Sequence, residues 1–314
     1  MKNSIYQLAK KYFIKLFIAL IISSISFATG CKTNRTETAT DRKLIKTDTA
    51  TLDAWELAPG RNKELQPYRV TKKNNRWLIS VNGGEAAETD TAYLRRSLQH
   101  ISNLKAVTEL NIPEKNWDTL GVTDKDTRLT LYKSGKAQQQ LFLGNMFFKE
   151  NKTTYYVRLK DENEIYTVQT YLEGSFKVPA EKLRKKNMVD VQKQQISEIM
   201  FLRPDGIEFS LRRAGQHNWS IDGILTKDSL TEQYVNALTG LTINNFAESP
   251  VTGADLSIQI LTYGGKQVSL KAYRKNSDTW IISSTANTGN YIELPASQIQ
   301  SMFPGWAYFM QSGK

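Results

Sequence analysis

The chain has 314 residues, 40% of them hydrophobic and 23% charged, with one cysteine and a formal net charge of +11. That apolar share supports a packed core and excludes a wholly disordered chain, and the length suggests two domains. One cysteine excludes an internal disulfide framework and a cysteine-rich zinc site, and two histidines, His100 and His217, leave little material for histidine-based metal or triad chemistry.

Lys2, Lys10, Lys11 and Lys15 are the only charges before residue 31, and the apolar run Leu16–Phe27 follows them. A basic segment leading into 12 apolar or small residues has the layout of a secretory signal. It is shorter than the ~20 apolar residues of a spanning helix, so residues 1–30 are expected to be an export signal. The run closes on Ala28-Thr29-Gly30-Cys31, which resembles a bacterial lipoprotein lipobox with Ala28 in place of the usual leucine. The resemblance implies cleavage between Gly30 and Cys31 and acyl chains, of the palmitate type, on Cys31. One acyl chain anchors reversibly, at ~0.8 kcal/mol per buried CH₂, whereas two or three anchor durably. Losing four lysines with the signal takes the charge from +11 to +7. The remaining surplus is spread along the chain, and no nucleic-acid partner is expected.

Residues 31–52 are rich in Lys, Thr and Asp and contain no aromatic residue. Such a composition reads as a solvated tether, spanning ~25 Å on average. No acidic run follows Cys31, which favours a periplasm-facing location in the cell envelope. Inner and outer membrane stay open.

From residue 53 onward the pattern is strand-rich and repeats once. Tyr68–Val70 and Arg76–Ile79 flank one turn, and Ile207–Leu211 and Trp219–Ile221 flank another; both read as hairpins ending in tryptophan. Leu94, Leu98, Ile101 and Leu104, and then Leu230, Tyr234, Leu238 and Leu241, fall at one-face helical spacings. Two further strand pairs follow in each half: 129–132 with 140–143 and 154–157 with 164–168, then 256–260 with 267–270 and 279–282 with 290–294. The expected fold is α+β, with two related units in a duplicated arrangement, each an antiparallel sheet packed with one helix. The boundaries are residues 53–190 and 191–314, meeting in the basic stretch 182–187.

The tryptophan strand, the leucine-rich helix and the segments Trp117-Asp-Thr-Leu-Gly121-Val122, Leu141-Phe-Leu-Gly144, Tyr156-Val-Arg158, Ile165-Tyr-Thr-Val168 and Leu183-Arg-Lys-Lys186 resemble the family catalogued as domain of unknown function 4340. The likeness covers most of residues 68–300, with Val122 where leucine is usual and no clear Gly-Leu element in the second half. It implies a Bacteroidota-type lipoprotein, an accessory component of the kind found beside gliding-type ABC transporters. It carries over no catalytic residue.

Motifs for phosphate cradling, for a nucleophile elbow and for a zinc-binding His pair are missing. Ser80 and Asp222 lie on the tryptophan strands but need a histidine brought to them. No enzyme activity, cofactor or metal is expected. The aromatic tail Phe303-Pro-Gly-Trp306-Ala-Tyr308-Phe309-Met310 has two readings: a last segment folded back on the second unit, or an apolar patch docking a membrane partner through Trp306, Tyr308 and Phe309. The whole reads as a membrane-anchored periplasmic lipoprotein acting as an interaction component of an ABC-type transport complex, with an ABC permease-like membrane protein as partner. The alternative is a ligand-binding lipoprotein using a cleft between the units.

Overall fold

The computed structural model describes residues 36–170, 172, 176–215, 218–250 and 253–310. The signal, Gly30, Cys31 and His217 lie outside them. Among the described residues no helix is long and apolar enough to cross a membrane.

The first unit begins with β1 (Thr36–Ala39), β2 (Ala54–Ala58), β3 (Tyr68–Lys73), β4 (Arg76–Val81) and β5 (Ala87–Glu88). Helix α1 (Thr91–Ser102), β6 (Ala106–Asn111) and the short α2 (Trp117–Leu120) follow. It ends with β7 (Arg128–Lys133), β8 (Lys136–Lys149), β9 (Lys152–Leu159) and β10 (Ile165–Val168). The second unit holds β11 (Ile196–Arg203), β12 (Gly206–Arg213), β13 (Trp219–Ile221), β14 (Ile224–Leu225), α3 (Asp228–Thr239) and β15 (Phe246–Ala247). Then come β16 (Leu256–Thr262), β17 (Gln267–Arg274), β18 (Thr279–Ser284), β19 (Tyr291–Pro295), α4 (Ala296–Met302) and α5 (Ala307–Met310).

Among the described residues the strands form one ten-stranded and one nine-stranded sheet, with every pairing antiparallel. The first runs β1-β6-β10-β9-β8-β7-β2-β3-β4-β5 and the second β14-β13-β12-β11-β16-β17-β18-β19-β15. Read from β5 inward, the first sheet has the strand order of the second with each strand number nine lower, and β1 is an extra edge strand. The helix between β5 and β6 corresponds to the one between β14 and β15.

The expectation of an α+β fold with one helix per sheet is corrected. Strand accounts for 43% of the described residues and helix for 20%, so they form two β-sheets with few short helices. The reason is partly geometric. A 12-residue helix such as α1 is about 18 Å long at 1.5 Å per residue. Ten strands at ~4.8 Å spacing are about 43 Å wide. One helix therefore covers less than half of such a sheet, and loops, sheet curvature and, in the second unit, α4 and α5 cover the rest. The other reason is local: β5, β14 and β15 are two residues long, too short to show an alternating pattern.

Each α1-type helix sits where its apolar stripe meets the sheet. Asp90 caps α1, accepting from the Ala92 and Tyr93 amides, and Leu94, Ser97 and Ile101 face inward. On α3 the inward residues are Thr231, Tyr234, Val235 and Leu238. Trp55, Tyr68, Val70, Leu131, Tyr155 and Val157 centre the first core, with Trp77 packed against it. Ile199, Leu211, Trp219, Ile258, Leu270 and Ile282 centre the second. The chain passes between cores within a few residues, since Leu183 belongs to the first and Met188 to the second.

The described part of the stretch read as a solvated tether is built into the first unit instead. β1 pairs with β6 from Thr36–Asn111 to Ala39–Thr108. Leu44 and Ile45 are wholly buried in the first core. Arg42 donates to the Tyr166 hydroxyl and to the Glu162 carboxylate, and the Gln139 amide donates to the Leu44 carbonyl at 2.7 Å. Two adjacent apolar residues and one arginine outweigh the polar composition around them, because burial of each Leu or Ile contributes ~1.5–3 kcal/mol.

The units meet through buried polar groups. Glu88 N–H on β5 donates to Thr288 C=O at 2.9 Å, and Lys185 N–H donates to Glu88 C=O at 3.0 Å. The Asn290 amide also donates to Glu88 C=O at 2.9 Å and to Asn287 Oδ1 at 2.6 Å. Arg184 donates to Asn290 Oδ1 at 2.6 Å and to Gly289 C=O at 3.0 Å. Its guanidinium lies 4.1 Å from the Phe246 ring centre. Gly289 has φ +75°, and a Cβ there would stand 2.4 Å from Ala86 C=O, so only glycine permits this approach.

Truncating Leu44 to Ala is expected to destabilise the protein by ~2–5 kcal/mol, the range for emptying a core leucine site. A solvated tether predicts a change within ~0.5 kcal/mol. Urea unfolding of the two proteins separates these outcomes.

Candidate functional site

The segments that carry the family likeness converge on one place. Period-two alternation sends Leu141 and Leu143 of β8, and Tyr155 and Val157 of β9, into the first core. The intervening Phe142, together with Ile165 of β10, goes to the opposite face. There they meet Leu110, Ile112, Trp117, Leu120 and Val122, with Tyr156 alongside, in a second small cluster. This part of the sheet is buried on both faces.

Arg158 is the polar centre of that cluster. Its guanidinium lies 4.3 Å from the Trp117 ring centre and 4.2 Å from that of Phe142. Nε donates to Val122 C=O at 2.9 Å, and a terminal nitrogen donates to Asp124 at 3.3 Å. Burial lowers the Arg158 pKa, opposed by the Asp124 carboxylate. The turn is shaped by glycine on both sides. Gly121 closes α2 in the left-handed region at φ +70°. At Gly144 an added Cβ would stand 2.4 Å from Leu120 C=O and 2.7 Å from Val122 Cγ1. Sequence reasoning quoted these residues as a pattern and missed the role of Arg158. The available signal is an arginine two residues beyond Tyr156, set between Val157 and Leu159.

Beside Gly121 lies a polar recess of about 330 Å³, lined in part by Arg61, Asp118, Asp126, Asn145 and Lys177. Arg61 pairs with Asp118 at 2.9 Å and with Asp126 at 2.6 Å. Asn145 donates to Thr119 C=O at 3.0 Å, and Lys177 donates to Gly144 C=O at 3.3 Å. Burial by itself raises the Asp126 carboxyl, but the Thr123 hydroxyl, Arg61 and the Thr123 amide together hold it below the usual 3.8. Arg61 pairs both carboxylates and Lys177 is held by a backbone carbonyl, so the recess is a polar lock around the turn.

The tail residues part company. Phe309 is wholly buried, with its ring centre 5.9 Å from that of Phe201, 6.0 Å from Phe209 and 5.3 Å from Tyr234. That corrects the reading of Phe309 as part of an exposed docking patch: the backbone turn at α5 points it into the second core. Lys227 N–H donates to Phe309 C=O at 2.9 Å. Tyr308 is half-buried and lines an apolar groove of about 310 Å³ with Tyr234, Leu238, Leu241, Leu294 and Met302. Trp306 is 55% exposed.

The other candidates are scattered. His100, near the end of α1, borders a recess of about 650 Å³ with Asp41 and Lys105. Ser80 donates to Gly84 C=O at 3.0 Å, and Asp222 occupies the turn before β14, so the two are not assembled with a histidine among the described residues. No cluster of three or more His, Cys, Asp or Glu occurs among the described residues. Where β5 meets the basic crossover, a recess of about 230 Å³ is lined by Glu88, Thr89, Asp90, Thr91, Lys185, Lys186 and Asn187.

Asp126 links the recess to pH. Its lowered folded-state pKa adds stability that is present above the unfolded value and is lost as pH falls through the folded one. Acid unfolding of Asp126→Asn is expected to show a smaller loss of stability below about pH 4 than the wild type. Equal acid sensitivity of the two proteins contradicts the assignment.

A family model described as Domain of unknown function (DUF4340) matches residues 80–259, more than half of the chain. The match runs from β4, through the Arg158 cluster and the junction, into β16, so it takes in parts of both sheets rather than one repeat. No curated protein and no solved structure matches the chain. The chain belongs to the family of Domain of unknown function (DUF4340).

Proposed function

We propose that this protein is a lipid-anchored component of the bacterial cell envelope that works by docking, as a non-enzymatic accessory part of an ABC-type transport complex. The observation that carries the reading is the one cysteine, Cys31, placed where a lysine-flanked apolar run ends in small residues. The acyl chains act positionally. They confine the folded body to a surface and raise its effective concentration near membrane partners.

The fold adds a constraint. β1 starts five residues after Cys31, and five extended residues reach at most about 17 Å. A lipid on Cys31 therefore holds the β1 edge of the first sheet close to the headgroups. β14 is an end strand of the second sheet. The anchored edge then belongs to one sheet and the β14 edge to the other. The self-paired Arg61 recess and the hydrogen-bonded junction favour rigidity over ligand capture.

Intact-mass analysis of the wild type expressed in its native envelope is expected to find a chain beginning at acylated Cys31. Cys31→Ser is expected to keep the leader and to carry no acyl mass. A wild-type chain that begins at Met1 without acyl mass overturns the reading.

A further inference from the structure

β14 is an edge strand of two residues, both strongly exposed: Ile224 at 64% and Leu225 at 60%. It returns from β13 through a tight turn in which Asp222 and Gly223 have φ of 51° and 81°. Ile221 pairs with Ile224 and Ser220 with Leu225, and Thr226 N–H donates to Trp219 C=O at 2.8 Å. In such a ladder, hydrogen-bonded and non-bonded pairs alternate. Leu225 therefore turns its N–H and C=O away from β13, and among the described residues no further backbone bond reaches them.

The corresponding strand of the first unit shows what such an edge accepts. β5 stands in the first sheet where β14 stands in the second. Its outward groups are taken by polypeptide, with Glu88 N–H on Thr288 C=O and Glu88 C=O receiving Lys185 N–H. That occupied edge is the junction itself. Its counterpart in the second unit is an open edge among the described residues.

Apolar surface surrounds the open edge. Ile224 shares a face with Trp219 and Ile221 through its pairing, the core face over which α5 seats Phe309. Trp306, 55% exposed, immediately precedes α5, and the end of α5 is tied to Lys227, two residues beyond β14.

We propose that the β14 edge, flanked by Trp306, receives an extended apolar segment of a partner polypeptide as an added strand. The inference rests on the docking reading above and names its surface. Main-chain bonds to Leu225 supply the attachment, and Ile224 and Trp306 select apolar side chains at alternate positions of the incoming strand.

The test uses the full-length chain carrying Cys31→Ser in detergent micelles, panned against a displayed library of random peptides. Selected peptides are expected to alternate apolar residues and to slow amide exchange at Leu225. Ile224→Lys and Leu225→Pro are expected to weaken them at least tenfold with unchanged thermal melting, since the proline removes only the outward donor. Four results overturn the proposal: no enrichment; peptides that bind both variants as well as the parent; self-association of the chain lost with Leu225→Pro; or binding of Trp306 to phosphatidylglycerol vesicles in place of peptide. Peptide binding by a chain found without acyl groups in its native envelope defeats the anchor reading and leaves this one intact. An acylated chain that selects no peptide does the reverse.

Discussion

The structure depends on a contact between polar groups that have left water. Asn287 and Asn290 are wholly buried, and burial lowers the pKa of the Arg184 guanidinium between them and Phe246. An unpaired buried donor or acceptor costs ~1–3 kcal/mol, so such a junction holds only if every group is satisfied together. Asn290 bonds Glu88 across the junction, Asn287 takes Lys185 C=O at 3.0 Å, and Lys185 Nζ takes Ala286 C=O at 2.5 Å. The geometry needs Gly289 at one point. Through it the β5 end of the first sheet and the β18–β19 loop of the second become one body. An apolar interface can slide, whereas this hydrogen-bond set has a single register.

The two sheets share strand order and differ where each meets its surroundings. The first has β1, which covers the β6 edge and follows closely after Cys31, and the α2 turn with its Arg158 cluster. The second has neither, and adds α4 and α5, which seat Phe309 and leave Trp306 outside. Among the described residues the same edge is occupied in one unit and open in the other. Divergence of this kind leaves the scaffold alone and changes what the edges present, which suits a docking protein better than one with a central pocket.

The strand pairs of each half, both main helices and the basic crossover could be read from residues because their signals are long. The alternation at 68–81 and 256–270 spans whole hairpins, and Leu94 to Leu104 and Leu230 to Leu241 repeat at helical spacing. What was not readable depends on distant partners. Thr36–Ala39 is a strand because β6 offers an edge. Leu44-Ile45 is core because Tyr166 and Glu162 hold Arg42 beside it. Two-residue strands carry no period, and their loss biased the fold class toward helix. Arg158 looked like one cation among many until its two aromatic neighbours, drawn from distant segments, were placed around it. Phe309 and Trp306 stand three residues apart in one aromatic tail, and only the direction of α5 decides that one is core and the other surface.

Segment-resolved hydrogen exchange across a urea series tests the junction most directly. In the wild type, peptides from β8–β9 and from β16–β17 are predicted to lose protection together, as one cooperative body requires. In Asn290→Ala they are predicted to separate into two transitions. Independent loss of protection in the wild type, or a joint transition unchanged in Asn290→Ala, would contradict the account.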